Sequence, residues 1–93
     1  MHQVAQTILN QLGGNRFIAM TGARNFVAGP TTLRFSVPKG LNVVVTLEPS
    51  DTYTVDFYRV RGAKCMSLAQ SRDVYADQLQ AVFTEHTGLY THL

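Results

Sequence analysis

Three groups of residues in this 93-residue chain have side chains suited to chemistry. The first is the single cysteine, Cys65, which with His2, His86 or His92 as base would make a thiol nucleophile. A lone cysteine on an apolar, alternating run is better read as a small core residue. The second is EHTGLYTH, where His86 and His92 stand six residues apart across a glycine, which is not the i, i+4 spacing of a helical ligand pair. With no second cysteine to complete a structural zinc site, neither metal nor cofactor is expected. The third is Asp73 with Asp77, one helical turn apart; such a pair near a helix start is accounted for by solvation and the helix dipole. No catalytic residue is assigned.

A fourth candidate is the run LNQLGGNRFIAMTGARNF, from Leu9 to Phe26. A phosphate-binding glycine loop needs a strand before it and a helix after it, so that backbone N–H groups converge on the anion. Here Val4, Ala5, Ile8, Leu9 and Leu12 recur at helical spacing before the glycines, and Arg16 to Thr21 reads as a strand after them. Gly13 and Gly14 are therefore expected to stop a helix rather than to hold a phosphate.

The same periodicities give the secondary structure that carries these residues. Gly22-Ala-Arg-Asn is a turn candidate. Thr32 to Val37 alternates Leu33, Phe35 and Val37 against Thr32, Arg34 and Ser36, as a half-buried strand does, until Pro38-Lys-Gly interrupts it. Asn42 to Glu48 and Tyr53 to Arg61, joined by Pro49-Ser-Asp, form a hairpin in which Tyr53, Val55 and Phe57 share one face and Thr54, Asp56 and Tyr58 the other. Beyond Gly62, Lys64 to Leu68 reads as a fifth strand or as a loop. A closing helix, capped by Ser71 or Asp73, carries Val74, Tyr75, Leu79, Val82 and Phe83 as its apolar stripe and stops at Gly88. Leu89, Tyr90 and Leu93 are expected to fold back on the core. The fold class is thus α+β over residues 1–93 as one domain: N-terminal helix, antiparallel meander of four or five strands, C-terminal helix, with both helices on one sheet face.

Composition excludes several function classes. With 45% hydrophobic and 15% charged residues the chain is too apolar for intrinsic disorder, and its apolar runs are too short for a membrane span. No secretory signal is read in Met-His-Gln-Val, and one cysteine suits a reducing cytosol. The net charge of +2 is unevenly spread: all eight basic residues fall between Arg16 and Arg72 against three acidic ones, whereas Asp73, Asp77 and Glu85 come after with none.

The runs ILNQLGGNRFIAMTGARNF, DTYTVDFYRVRG and VYADQLQAVFTEHTGLYTHL resemble the three blocks of a family of small uncharacterised proteins encoded by tailed phages and prophages. That resemblance implies a phage accessory protein in a bacterial cytoplasm, with a host protein as a natural target; it carries no functional residues across.

Two binding classes remain. An uncovered sheet face or strand edge would dock a protein, either a host protein or a second copy, with Tyr53, Tyr58, Phe26 and Tyr90 as aromatic candidates, of which Tyr53 and Phe26 are expected in the core. A basic face with Arg34, Tyr58 and Arg59 or Arg61 would instead suit nucleic acid, bases stacking on the aromatic while arginines hold phosphates. Asp56 on that face opposes phosphate, and ARNFVAG lacks the glycine-aromatic pattern of an RNA-recognition strand. The candidate binding face is therefore Arg34, Tyr58, Arg59, Arg61 and Tyr90, with protein as the leading partner and nucleic acid as the alternative.

Overall fold

A computed structural model describes residues 3–88. In chain order these form α1 (Gln3–Leu12), α2 (Gly14–Thr21), β1 (Arg24–Ala28), β2 (Thr32–Val37), β3 (Leu41–Leu47), β4 (Tyr53–Arg61), β5 (Lys64–Val74) and α3 (Leu79–Thr87). The strands make one antiparallel meander in the order β1-β2-β3-β4-β5. No helix among the described residues is long and apolar enough to cross a membrane.

One face of the sheet carries the core. Leu33, Phe35 and Val37 of β2, Val43 and Val45 of β3, and Val55 and Phe57 of β4 are all buried, as period-two alternation requires when one face is covered. The cover is helical. Ala5, Ile8, Leu9 and Leu12 are the buried stripe of α1, and Leu79 and Phe83 that of α3. At the centre Phe17, Phe35 and Phe83 pack together, Phe17 edge-on to each of the other two with ring centres 5.4 and 5.1 Å away. Phe26 and Tyr53 also belong here: Phe26 lies 5.6 Å from the Phe35 ring, and Tyr53 is buried.

Gly13 and Gly14 do end α1, with φ of 128° and 59°. The next element is a second helix, however, and not the expected strand over Arg16 to Thr21. The short run Phe-Ile-Ala-Met has no period strong enough to separate helix from strand. Packing decides it: one helical turn puts Phe17 and Thr21 on the same buried side, and Thr21 Oγ1 donates to the Phe17 carbonyl at 2.7 Å. Gly22 then caps α2 in the left-handed conformation, so the expected Gly22 to Asn25 turn shrinks to a helix stop, with Arg24 and Asn25 already in β1. The phosphate-loop alternative still lacks its preceding strand.

β5 is the other correction. Lys64 to Leu68 is strand, and the strand runs on to Val74 because β4 offers partners as far as Tyr53. Ser71 and Asp73 therefore lie inside β5 and cap no helix; Asp73 sits at a bulge with φ 55°, and it is not one turn from Asp77, which lies in a 3-10 turn, Ala76–Gln78. The entry to α3 is held instead by Gln78 Oε1, which accepts from the Tyr75 N–H at 3.1 Å. Of the expected helical stripe, Val74 is buried from the strand, Tyr75 is exposed, and Leu79, Val82 and Phe83 pack against the core. Gly88 caps α3 as expected, in the left-handed conformation. The return of Leu89, Tyr90 and Leu93, and the positions of His2 and His92, fall outside the described residues.

Candidate functional site: the uncovered sheet face

Among the described residues no helix covers the second sheet face, and the register arranges it in three rows running across the strands. The middle row is Val27, Arg34, Val44, Asp56 and Gln70, one residue from each of β1 to β5. On one side of it stand Arg24, Ser36, Asn42, Tyr58 and Ser67; on the other stand Thr32, Thr46 and Thr54. Because side chains alternate along a strand, every member of these rows points away from the core.

Two hydrogen-bonded groups order the face. Ser36 Oγ donates to Asn42 Oδ1 at 2.8 Å between β2 and β3. Arg72 Nε donates to Gln70 Oε1 at 3.0 Å, and Gln70 Nε2 donates to Asp56 Oδ1 at 2.7 Å, so the amide relays a guanidinium to a carboxylate without direct pairing. The relay borders a depression of about 570 Å³ under the β3–β4 turn, whose floor is Thr46 and Thr54 and whose rim includes Glu48, Asp56, Arg72 and Asp73. Thr54 is buried although it stands on the face without helices.

The face is therefore electrically polar along the sheet. Arg24 and Arg34 lie on β1 and β2, while three carboxylates against one arginine surround the depression toward β4 and β5. Of the sequence candidates, Arg34 and Tyr58 share this face. Arg59 does not: it is paired with Leu41 and Met66 and points to the helical side, where its Nε is buried with no hydrogen-bond partner. Strict alternation along β4 puts consecutive residues on opposite faces, so Tyr58 and Arg59 cannot act on one ligand from one face. Arg61 ends β4 opposite Lys64, and Tyr90 lies outside the described residues. The acidic depression escapes a reading of the sequence because Glu48, Asp56 and Asp73 are brought together only by the β3–β4 turn and the β5 bulge; Asp56 alone is legible there.

Both strand edges are irregular. β1 slips register between Arg24 and Val27, with Asn25 at φ 58°, and β5 slips between Phe57 and Tyr58 and again between Tyr53 and Val55 of its partner strand. Bulges of this kind twist an edge and discourage another strand from adding to it. The outer part of the β4–β5 hairpin is exposed on both faces, carrying Val60, Met66 and Leu68. Cys65 is exposed there too, which corrects its expected place in the core: it pairs with Val60, which alternation along β4 puts on the face without helices.

The remaining chemical candidates are not assembled. His86 packs on Phe57 with ring centres 4.8 Å apart, and its Nε2 is 3.1 Å from Ser71 Oγ. Six residue steps along β5, roughly 20 Å of strand, take the chain from Cys65 to Ser71, so His86 is no base for that thiol. Among the described residues no group of three or more His, Cys, Asp or Glu side chains could hold a metal ion.

Against known protein families, curated proteins and solved structures, the chain finds no match.

Proposed function

We propose that this protein is a non-enzymatic binding module that docks a protein partner on its uncovered sheet face. The observation that carries this reading is the division of the sheet: one face is closed by helices, and the other presents Arg24, Arg34, Val27 and Tyr58 beside an acidic depression. Arginine and tyrosine are the residue types that dominate interface energetics, and the bulged edges make the face a better dock than either edge. A host protein or a second copy is the partner class. The resemblance to phage and prophage proteins supplies the setting, an accessory protein acting in the bacterial cytoplasm.

Nucleic acid is the second reading, supported by Arg24 and Arg34 standing on the same sheet face as Tyr58. The carboxylates of Asp56, Glu48 and Asp73 on the same face weigh against a phosphate backbone.

The test is capture of partners on the tagged protein, with and without nuclease, alongside an Arg34→Ala/Tyr58→Ala variant. The proposal expects a protein band that survives nuclease and is lost in the variant. Recovery of nucleic acid alone, with binding that weakens steeply in salt, would replace it with the second reading.

A further inference from the structure

We infer that the uncovered face pairs with the same face of a second copy about a two-fold axis running along β3, setting Arg34 of each copy against Asp56 of the other. The inference rests on reading that face as a docking surface and names its occupant.

A two-fold interface must be self-complementary: what one copy presents on the left must fit what the other presents on the right. The middle row meets that requirement. Its order is Val27, Arg34, Val44, Asp56, Gln70, with Arg34 and Asp56 one strand to either side of β3. Turning the row over about β3 lays Arg34 on Asp56, Asp56 on Arg34, Val27 on Gln70 and Val44 on itself. The flanking rows behave in the same way. Ser36 falls on Tyr58, Arg24 on Ser67, and Thr32 on Thr54, with Asn42 and Thr46 on the axis. No like charges meet anywhere in the three rows, and the one apolar residue at the centre, Val44, meets its own copy.

Dimensions agree with this. Facing sheets pack about 10 Å apart with their strands within about 30° of alignment, a gap that an arginine and an aspartate span together. Asp56 gives only Oδ1 to Gln70, leaving Oδ2 for a guanidinium from across the interface. Five strands at about 4.8 Å spacing and five residues at about 3.3 Å give a face of roughly 400 Å², so the pair covers on the order of 800 Å². That is the size of a weak, transient interface rather than an obligate one. Two exchanged charge pairs at its centre would then make association depend on salt.

The experiment is sedimentation equilibrium of the full chain at low and high salt, on the wild type, Arg34→Asp, Asp56→Arg and the double variant. Circular dichroism melts establish that each variant is folded. The inference expects the wild type to dimerise reversibly at low salt and to dissociate as salt rises, each single reversal to weaken the dimer at least about 10-fold, and the double reversal to recover most of that loss. A folded wild type that stays monomeric to about 1 mM at low salt overturns it, as does a dimer indifferent to all three variants. The docking reading is separable: a monomer that still captures a protein, and loses it on Arg34→Asp, retains that reading and removes the second copy. A folded protein that neither dimerises nor captures anything through this face removes both.

Discussion

The Tyr53 hydroxyl donates to Gln11 Oε1 at 2.7 Å, joining α1 to β4 across 42 residues of chain. It is one of two side-chain ties that Gln11 makes possible, since Gln80 Nε2 of α3 donates to the Gln11 carbonyl at 3.2 Å. One residue of α1 thereby registers both the sheet and the closing helix. Tyr53→Phe keeps the ring and leaves the half-buried Gln11 amide oxygen without this donor, so it should cost about 1 kcal/mol by denaturant unfolding, with the m-value unchanged.

The same residue sets an alkaline limit. Burial pushes the Tyr53 phenol above its ordinary value, Asp51 adds to the rise, and the Gln11 hydrogen bond opposes it. A phenol with a raised folded pKa binds its proton more tightly in the folded state than in the unfolded chain. Its contribution is whole below the unfolded value, near pH 10, and is lost as pH climbs through the folded one. Unfolding free energy should therefore fall more steeply above pH 10 in the wild type than in Tyr53→Phe. Parallel curves would show that Tyr53 is solvated.

At the α1–α2 junction, Gly13 holds φ at 128°, where a Cβ is strained. Gly13→Ala should destabilise the fold by about 1 kcal/mol, and calorimetry or urea unfolding would read it. Phosphate should not protect either protein against unfolding. A phosphate-dependent rise in melting temperature that disappears in Gly13→Ala would restore the anion-loop reading.

The three-ring cluster is the structural centre. Phe83→Ala removes a fully buried ring that packs on Phe17 at 5.1 Å and Phe35 at 6.1 Å, so the expected loss is about 3–5 kcal/mol. Phe17→Ala should match it, because Phe17 enters the same cluster from α2. In a domain whose total stability is of order 5–15 kcal/mol, either change leaves little margin, and melting followed by near-ultraviolet circular dichroism would show it.

Arg59 and Arg34 should separate cleanly. The Arg59 Nε is buried with no partner, so Arg59→Met keeps an aliphatic side chain at a position cross-strand from Leu41 and Met66 and removes an unsatisfied polar atom. Its melting temperature should equal or exceed the wild-type value. Arg34→Ala should leave stability within about 0.5 kcal/mol and act only on binding, since Arg34 is exposed.

The local signals in the sequence were sufficient wherever alternation was long and its ends were punctuated. β2 and β4 have the limits read from Thr32 to Val37 and from Tyr53 to Arg61, because five or more alternating residues closed by Pro38 or Gly62 leave one register that buries the apolar set. α1, its glycine stop and the Gly88 cap were legible for the same reason. Where the run was short or the signal polar, partners elsewhere in the chain decided. Phe-Ile-Ala-Met became a helix because Phe17 must reach Phe35 and Phe83; β5 continued through Ser71 and Asp73 because β4 still had unpaired backbone groups to satisfy. The polarity of the uncovered face belongs to neither strand alone. Arg34 and Asp56 lie 22 positions apart, and only pairing of β2 and β4 to the two sides of β3 sets their charges symmetrically about Val44.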